Sequence, residues 1–143
     1  MTSAQATRPA LEAALRAAGM RVTTTRQRVY AEVARTPHAT PEALIESVNA
    51  SGPRVPPSSV YRALEALEAA GVVTHTHLDH HAPTYHLAEH HRHLHLVCRV
   101  CGAVRESEVG LADELVAALE REHGFAADVT HMAIQGECSS CRT

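Results

Sequence analysis

The stretch from Pro57 to Leu87, PSSVYRALEALEAAGVVTHTHLDHHAPTYHL, changes its hydrophobic period halfway along, and that change decides the fold. Up to Gly71 the apolar residues Val60, Leu64 and Leu67 recur at helical spacing, with Ser58 and Ser59 ahead of them as a cap and Gly71 as the stop. Beyond Gly71, Val73, His75 and His77 alternate with a period of two up to a turn at Asp79–Pro83, and Tyr85–Leu87 returns, which is the pattern of a β-hairpin. Working upstream, Thr7 and Pro9 open a helical segment with Leu11, Leu15 and Ala18 on one face and Gly19 as its end. A second helix is expected over Thr24–Arg35, and Thr40 with Pro41 opens a third through Leu44, Ile45 and Val48 that ends near Gly52. Short helices followed directly by a hairpin make a winged helix, with the Ser58 helix in the recognition position. There its N-terminal N–H groups and the hydroxyls of Ser58 and Ser59 would face phosphate, and Tyr61 and Arg62, placed in the first turn, would reach the groove. Pattern alone leaves a second reading open, a plain helical bundle with ordinary surface arginines.

Downstream, Cys98-Arg99-Val100-Cys101 and Cys138-Ser139-Ser140-Cys141 form two CxxC pairs. Four such sulfurs close a tetrahedron around Zn²⁺, the arrangement of a structural site, and the competing reading is a pair of local disulfides or idle buried thiols. Between the pairs the pattern predicts a strand over 103–109, a helix from about Leu111 to His123 stopped by Gly124, and a strand over 129–134. Ahead of them His91, His93 and His95 alternate, so on an extended strand their imidazoles leave one face about 6.6 Å apart and neighbours can share an ion. His75 and His77 repeat that geometry on the expected wing. His38 and His131 are isolated, and by pattern each reads equally as a surface histidine; His80, His81 and His123 are assigned to solvent.

Composition sets the frame for these motifs. The chain has 143 residues, enough for one domain or two small ones, with 45% hydrophobic and 20% charged residues, so a core is attainable. Aromatic residues are only 3%, which argues against stacking on single-stranded bases. Residues 1–71 carry eight Arg against six acids and residues 72–143 five Arg against ten, so a net +2 half precedes a net −5 half. The acidic half also holds eleven of the twelve histidines and all four cysteines, which makes transition metal the first ligand hypothesis. The expected division is 1–87 as the winged-helix unit with its hinge and 88–143 as a small metal-binding α/β unit, an α+β fold overall. No apolar run approaches a membrane span and the N-terminal pattern is amphipathic, so a cytoplasmic protein with reduced thiols is expected.

Three segments in order, GMRVTTTRQRV, PSSVYRALEALEAAGVV and HHRHLHLVCRVCG, resemble the ferric uptake regulator family of metal-dependent repressors, and the match runs from about Leu11 to Cys141. The resemblance implies a homodimer that binds palindromic operator DNA, an N-terminal winged helix, a C-terminal α/β dimerisation domain and a metal site that switches DNA binding. It places Arg21 and Arg26, with Ser58, Ser59, Tyr61 and Arg62, at DNA. Many members have a His and a carboxylate where this chain has Arg92 and Leu94, and an acidic ligand where it has His86. The resemblance is therefore greatest to the nickel-responsive branch, which implies one regulatory site of His75, His77 and His131 and a second of His38, His91, His93 and His95, with His86 as an alternative to His91. Each set would draw on both halves of the chain. Imidazole donors suit Ni²⁺, Zn²⁺ and Cu²⁺ better than hard ions. The expected cofactors are regulatory Ni²⁺ and structural Zn²⁺.

Three functions compete for these features: a metal-sensing repressor, responsive to nickel or alternatively to zinc or iron; a metal storage or chaperone protein; and a zinc hydrolase. A hydrolase wants an open metal position beside a general base, such as the HExxH helix, and the sequence holds no HExxH. A chaperone leaves the Ser58–Gly71 helix without a purpose. The repressor accounts for both halves, so no enzymatic activity is expected.

Overall fold

The computed structural model describes residues 3–78, 82–88, 93–130 and 132–142, with side chains from Arg8 onward. The chain divides into two compact units, Met1–His75 with Ala82–Glu89, and Thr76–His81 with His90–Thr143.

The first unit is built on α1 (Ser3–Ala17), α2 (Thr24–Arg35), α3 (Pro41–Ala50) and α4 (Pro57–Ala69), followed by the two-stranded sheet of β1 (Val73–Thr76) and β2 (Thr84–Leu87). Local chemistry explains each boundary. Thr23 caps α2 by accepting the Arg26 N–H at 3.2 Å, and Thr40 caps α3 by accepting that of Ala43 at 3.2 Å, with Pro41 in the first turn. Gly71 takes φ 73°, the left-handed turn that ends α4. Leu15, Val29, Leu44, Val60, Leu64 and Leu67 form the centre of one apolar core, whose burial stabilises the unit at roughly 25 cal/mol per Å² of apolar surface. The His38–Ala39 segment lies along β2, with Tyr85 N–H donating to the Ala39 carbonyl at 2.9 Å and His38 N–H to the Tyr85 carbonyl at 3.0 Å.

Two helix starts differ from the expectation. α1 begins at Ser3 and passes through Pro9, forgoing one backbone bond there, while Leu11 and Leu15 bury its inner face. α4 begins at Pro57, whose fixed φ suits a first helical position, and Pro56 stands at the N-cap without a side-chain bond. Ser58 and Ser59 are thus inside the first turn rather than capping it. Tyr61 and Arg62 accordingly lie in the second turn.

The second unit is a three-stranded sheet in the order β4-β3-β5, with β3 at His93–Cys98, β4 at Val104–Glu108 and β5 at Ala133–Gly136. β3 and β4 are antiparallel across the Cys98–Cys101 turn, whereas β5 runs parallel to β3 and pairs Cys98 with Gly136. A 3₁₀ turn, Val109–Ala112, leads into α5 (Asp113–His123), which Gly124 ends at φ 61°. Leu94, Ala112 and Val129 form a small core with Val109, Val116 and Met132 against it. The strand expected over 129–134 starts only at Ala133, because Asp128 accepts the Thr130 N–H at 2.9 Å and Met132 N–H returns to the Val129 carbonyl at 3.1 Å, turning the chain. Residues Thr76–Leu78 group with this unit, where Gln135 donates to the Leu78 carbonyl.

Candidate metal centres and nucleic-acid face

The register of β3 and β5 brings the two CxxC pairs together. Cys98 ends β3, Gly136 ends β5 directly beside it, and Cys138 follows two residues on. Sulfur atoms of Cys98, Cys101, Cys138 and Cys141 all lie within 4.8 Å of one another, and Cys101 Sγ is 3.8 Å from Cys138 Sγ. A tetrahedron of zinc–sulfur bonds of about 2.3 Å has edges of about 3.8 Å, so the set fits Zn²⁺. The backbone prepares it: Gly102 N–H and Cys141 N–H close turns onto the Cys98 and Cys138 carbonyls at 2.9 and 3.0 Å, and Cys138 N–H donates to Cys98 Sγ at 3.4 Å. Amide donors, Cys101 first, then Cys138 and Val100, hold the Cys98 thiol down to about 6. The Cys141 thiol is pushed up to about 12, chiefly by its hydrogen bond to Cys138 and then by that to Cys101. Four thiolates this close repel one another, and a divalent cation is what lets all four ionise.

A second cluster sits on the other strand pair. His93 and His95 leave one face of β3 with ring centroids 4.9 Å apart, and Glu106 of β4 stands directly opposite His95 in register. Its carboxylate is 3.1 Å from His93 Nε2, and ligand atoms of all three residues lie within 4.8 Å of one another. His95 is fully buried. The sequence reading omitted Glu106. The signal was nonetheless present, because counting outward from the Cys98–Cys101 turn along an antiparallel hairpin pairs 98 with 103 and hence 95 with 106. The expected imidazole-only set therefore has a carboxylate at its edge.

In the first unit, β2 carries His86, 2% exposed, and the segment along it carries His38; their rings are 5.4 Å apart. His38 adopts φ 63°, a left-handed backbone that costs a non-glycine residue about 1–2 kcal/mol. His75 on β1 is half-buried, with Nδ1 bonded to the Glu68 carboxylate of α4 and its ring 5.8 Å from that of Tyr85. A carboxylate on one ring nitrogen fixes the tautomer and orients the other, as around metal-bound histidines. His77 follows the strand, exposed, in the second unit. His91 and His131, expected as ligands, lie outside the described residues.

The helix expected at DNA has two faces. Val60, Ala63, Leu64 and Leu67 are buried, while Ser58, Tyr61, Arg62, Glu65 and Ala69 form the exposed stripe at i, i+3, i+4, i+7 and i+11. Arg62 and Ser59 meet Thr23, Thr25 and Arg26 of the α2 entry around an open cleft of about 180 Å³. Two guanidiniums and three hydroxyls there are the donor types that phosphate oxygens accept from. Arg26 also bonds the Arg21 carbonyl at 2.5 Å, so Arg21 lies beside this cleft rather than in it. Fewer N–H groups face outward at the helix start than expected: Pro57 has none, and Ser59 N–H bonds the Pro56 carbonyl at 3.0 Å.

Helices closed by a wing, with a second unit that clusters thiols and imidazoles, define a DNA-binding regulator of the metal-dependent class. Residues 17–135 match the model of the ferric uptake regulator family. The ferric uptake regulation protein of Campylobacter upsaliensis is 34% identical over 106 residues, covering 73% of this chain and 68% of that protein. The zinc uptake regulation protein of Mycobacterium tuberculosis is 33% identical over 101 residues, covering 70% of this chain and 77% of that protein. Among solved structures, the Vibrio cholerae ferric uptake regulator superposes with a TM-score of 0.70 at 28% identity, over 89% of this chain and 98% of that one. The chain belongs to the ferric uptake regulator family. Members of this family are regulators of transcription, not enzymes.

Proposed function

We propose that this chain is a cytoplasmic transcriptional repressor that binds palindromic operator DNA as a homodimer when loaded with a regulatory divalent metal, and that the metal is nickel. The observation that carries the metal-dependent part is the approach of His93, His95 and Glu106 to within 4.8 Å in a chain whose α4 presents an arginine-bearing exposed stripe. The second regulatory set named from the resemblance is His38, His91, His93 and His95, with His86 as the alternative to His91. Nickel is favoured by the imidazole-rich composition and by the set named from the resemblance, His75, His77 and His131, since three imidazoles with open positions suit a square-planar or octahedral shell. Zn²⁺ held by Cys98, Cys101, Cys138 and Cys141 would supply folding energy rather than sensing.

A zinc-responsive reading has its own support in Glu106, because two imidazoles and a carboxylate are an ordinary zinc donor set. The test is a gel shift at fixed salt, since affinity depends on salt, using duplexes that the protein itself selects from random-sequence DNA under Ni²⁺, Zn²⁺, Co²⁺, Mn²⁺ or Fe²⁺. Tightest binding with Ni²⁺, lost in His77→Ala and His131→Ala, is the expected result. Operator binding that answers to Zn²⁺ or Fe²⁺ alone replaces the nickel reading, and no metal-dependent complex with any ion overturns the repressor.

A further inference from the structure

The exposed stripe of α4 makes a contact that metal control does not require. Tyr61 Oη donates to Glu42 Oε1 at 3.1 Å, joining the second turn of α4 to the first turn of α3. Tyr61 is 41% exposed and adjacent in sequence to Arg62 on the stripe read as the DNA-facing surface. A carboxylate placed there repels phosphate and so weakens binding to any duplex. An acid in a first helical turn is favourable to that helix, but this needs no partner on α4.

The bond to Tyr61 supplies a reason for the carboxylate. A phenol has one proton, and once that proton is directed to Glu42 only acceptor lone pairs remain on Oη. In the major groove adenine and cytosine present amino donors, whereas guanine and thymine present only acceptors from their own edges. We propose that Glu42 is a specificity-determining positioning residue, which by engaging the Tyr61 hydroxyl presents Oη as an acceptor, so that α4 selects adenine or cytosine at the base Tyr61 faces. The bond also raises the phenol above its ordinary pKa of 10, keeping it protonated at neutral pH, as the arrangement needs. This inference rests on the reading of α4 as the DNA-reading helix.

The test uses the full-length, Ni²⁺-loaded protein and its Glu42→Ala, Glu42→Gln, Tyr61→Phe and Glu42→Ala/Tyr61→Phe variants, each selecting duplexes from random-sequence DNA and then titrated with the wild-type consensus and a scrambled duplex at one salt concentration. Glu42→Ala should lose roughly tenfold of the discrimination at one base position, the scale of one hydrogen bond, while binding the scrambled duplex more tightly. Glu42→Gln keeps an acceptor oxygen, so it should retain the base preference and still gain affinity for scrambled DNA. Tyr61→Phe should lose the same preference as Glu42→Ala, and the double variant no more than either. Additive losses, an unaltered consensus in Glu42→Ala, or a changed melting temperature with no change in selection overturns the inference. If Tyr61→Ala and Arg62→Ala leave operator binding intact, the reading of α4 itself has failed; if they abolish it while both Glu42 variants select as wild type, only the role of Glu42 has.

Discussion

His38 condenses the local trade-off of this protein into one residue. Its left-handed backbone would suit glycine, yet the position carries an imidazole 5.4 Å from that of His86. Such strain persists where a side chain is needed for something other than stability. Replacing His38 by Gly should therefore act in opposite directions, raising the stability of the metal-free protein by up to about 1 kcal/mol while weakening metal-dependent operator binding. Chemical denaturation and gel shifts on the same preparation measure both, and a variant that loses stability without losing the metal response would contradict this account. Cys98 gives a second residue-scale expectation. Its thiol, held down to about 6 from an ordinary 9, favours the folded metal-free chain fully above pH 9, and that contribution disappears as pH falls through 6. At pH 7.5 Cys98 has already given up its proton, so zinc binding should release fewer than four protons; below pH 6 the release should rise and zinc affinity fall more steeply. Proton release measured in weak buffer, if equal at pH 7.5 and pH 5, refutes this.

At the scale of elements, the geometry of α4 is set by the loop before it. Asn49 donates to the Val55 carbonyl at 3.1 Å and accepts the Val55 N–H at 2.6 Å, and Arg28 donates to the Pro53 carbonyl at 2.7 Å. Asn49→Ala should cost about 1–3 kcal/mol, because the Val55 amide would lose its partner in a half-buried site, and hydrogen exchange at Val55 should report it. Arg62 lies on the exposed stripe and shares the phosphate-sized cleft, so Arg62→Ala should weaken operator binding by about 1–3 kcal/mol if it reads a base, with little change in melting temperature. Unaltered binding at matched salt would move the recognition surface elsewhere. Much of this architecture is legible in the chain itself. Thr40, Pro41 and Gly71 act where the sequence places them, because caps and left-handed stops depend on near neighbours. Ser58 and Ser59 misled because Pro57 is an equally local but stronger start signal one residue earlier.

Among the described residues of the second unit, large apolar side chains remain in solvent. Leu111 is 76% exposed, Leu115 46% and Phe125 60%, and α5 has no buried residue. A unit with so small a core gains stability by covering such a surface, as the proposed homodimer would. Leu111→Glu with Leu115→Glu should shift the protein from dimer to monomer in sedimentation velocity; an unchanged dimer puts the interface on another face. Chelation of zinc from the reduced protein should lower the melting temperature of this unit, since the four-cysteine site joins the end of β3 to the residues after β5.

Period, caps and the spacing within each CxxC determined from sequence alone that helices precede a hairpin and that each cysteine pair can offer two thiolates to one ion, since each depends on residues near one another along the chain; that the two pairs meet follows from the register of β3 and β5. Which donors meet was decided by the tertiary structure. Glu106 reaches His93 and His95 through strand register, His86 reaches His38 because β2 pairs with the segment before α3, and Glu42 reaches Tyr61 through the packing of two helices. The sequence contains these residues without naming their partners, because pairing across strands and helices is set by register and packing over the whole unit rather than by spacing along the chain.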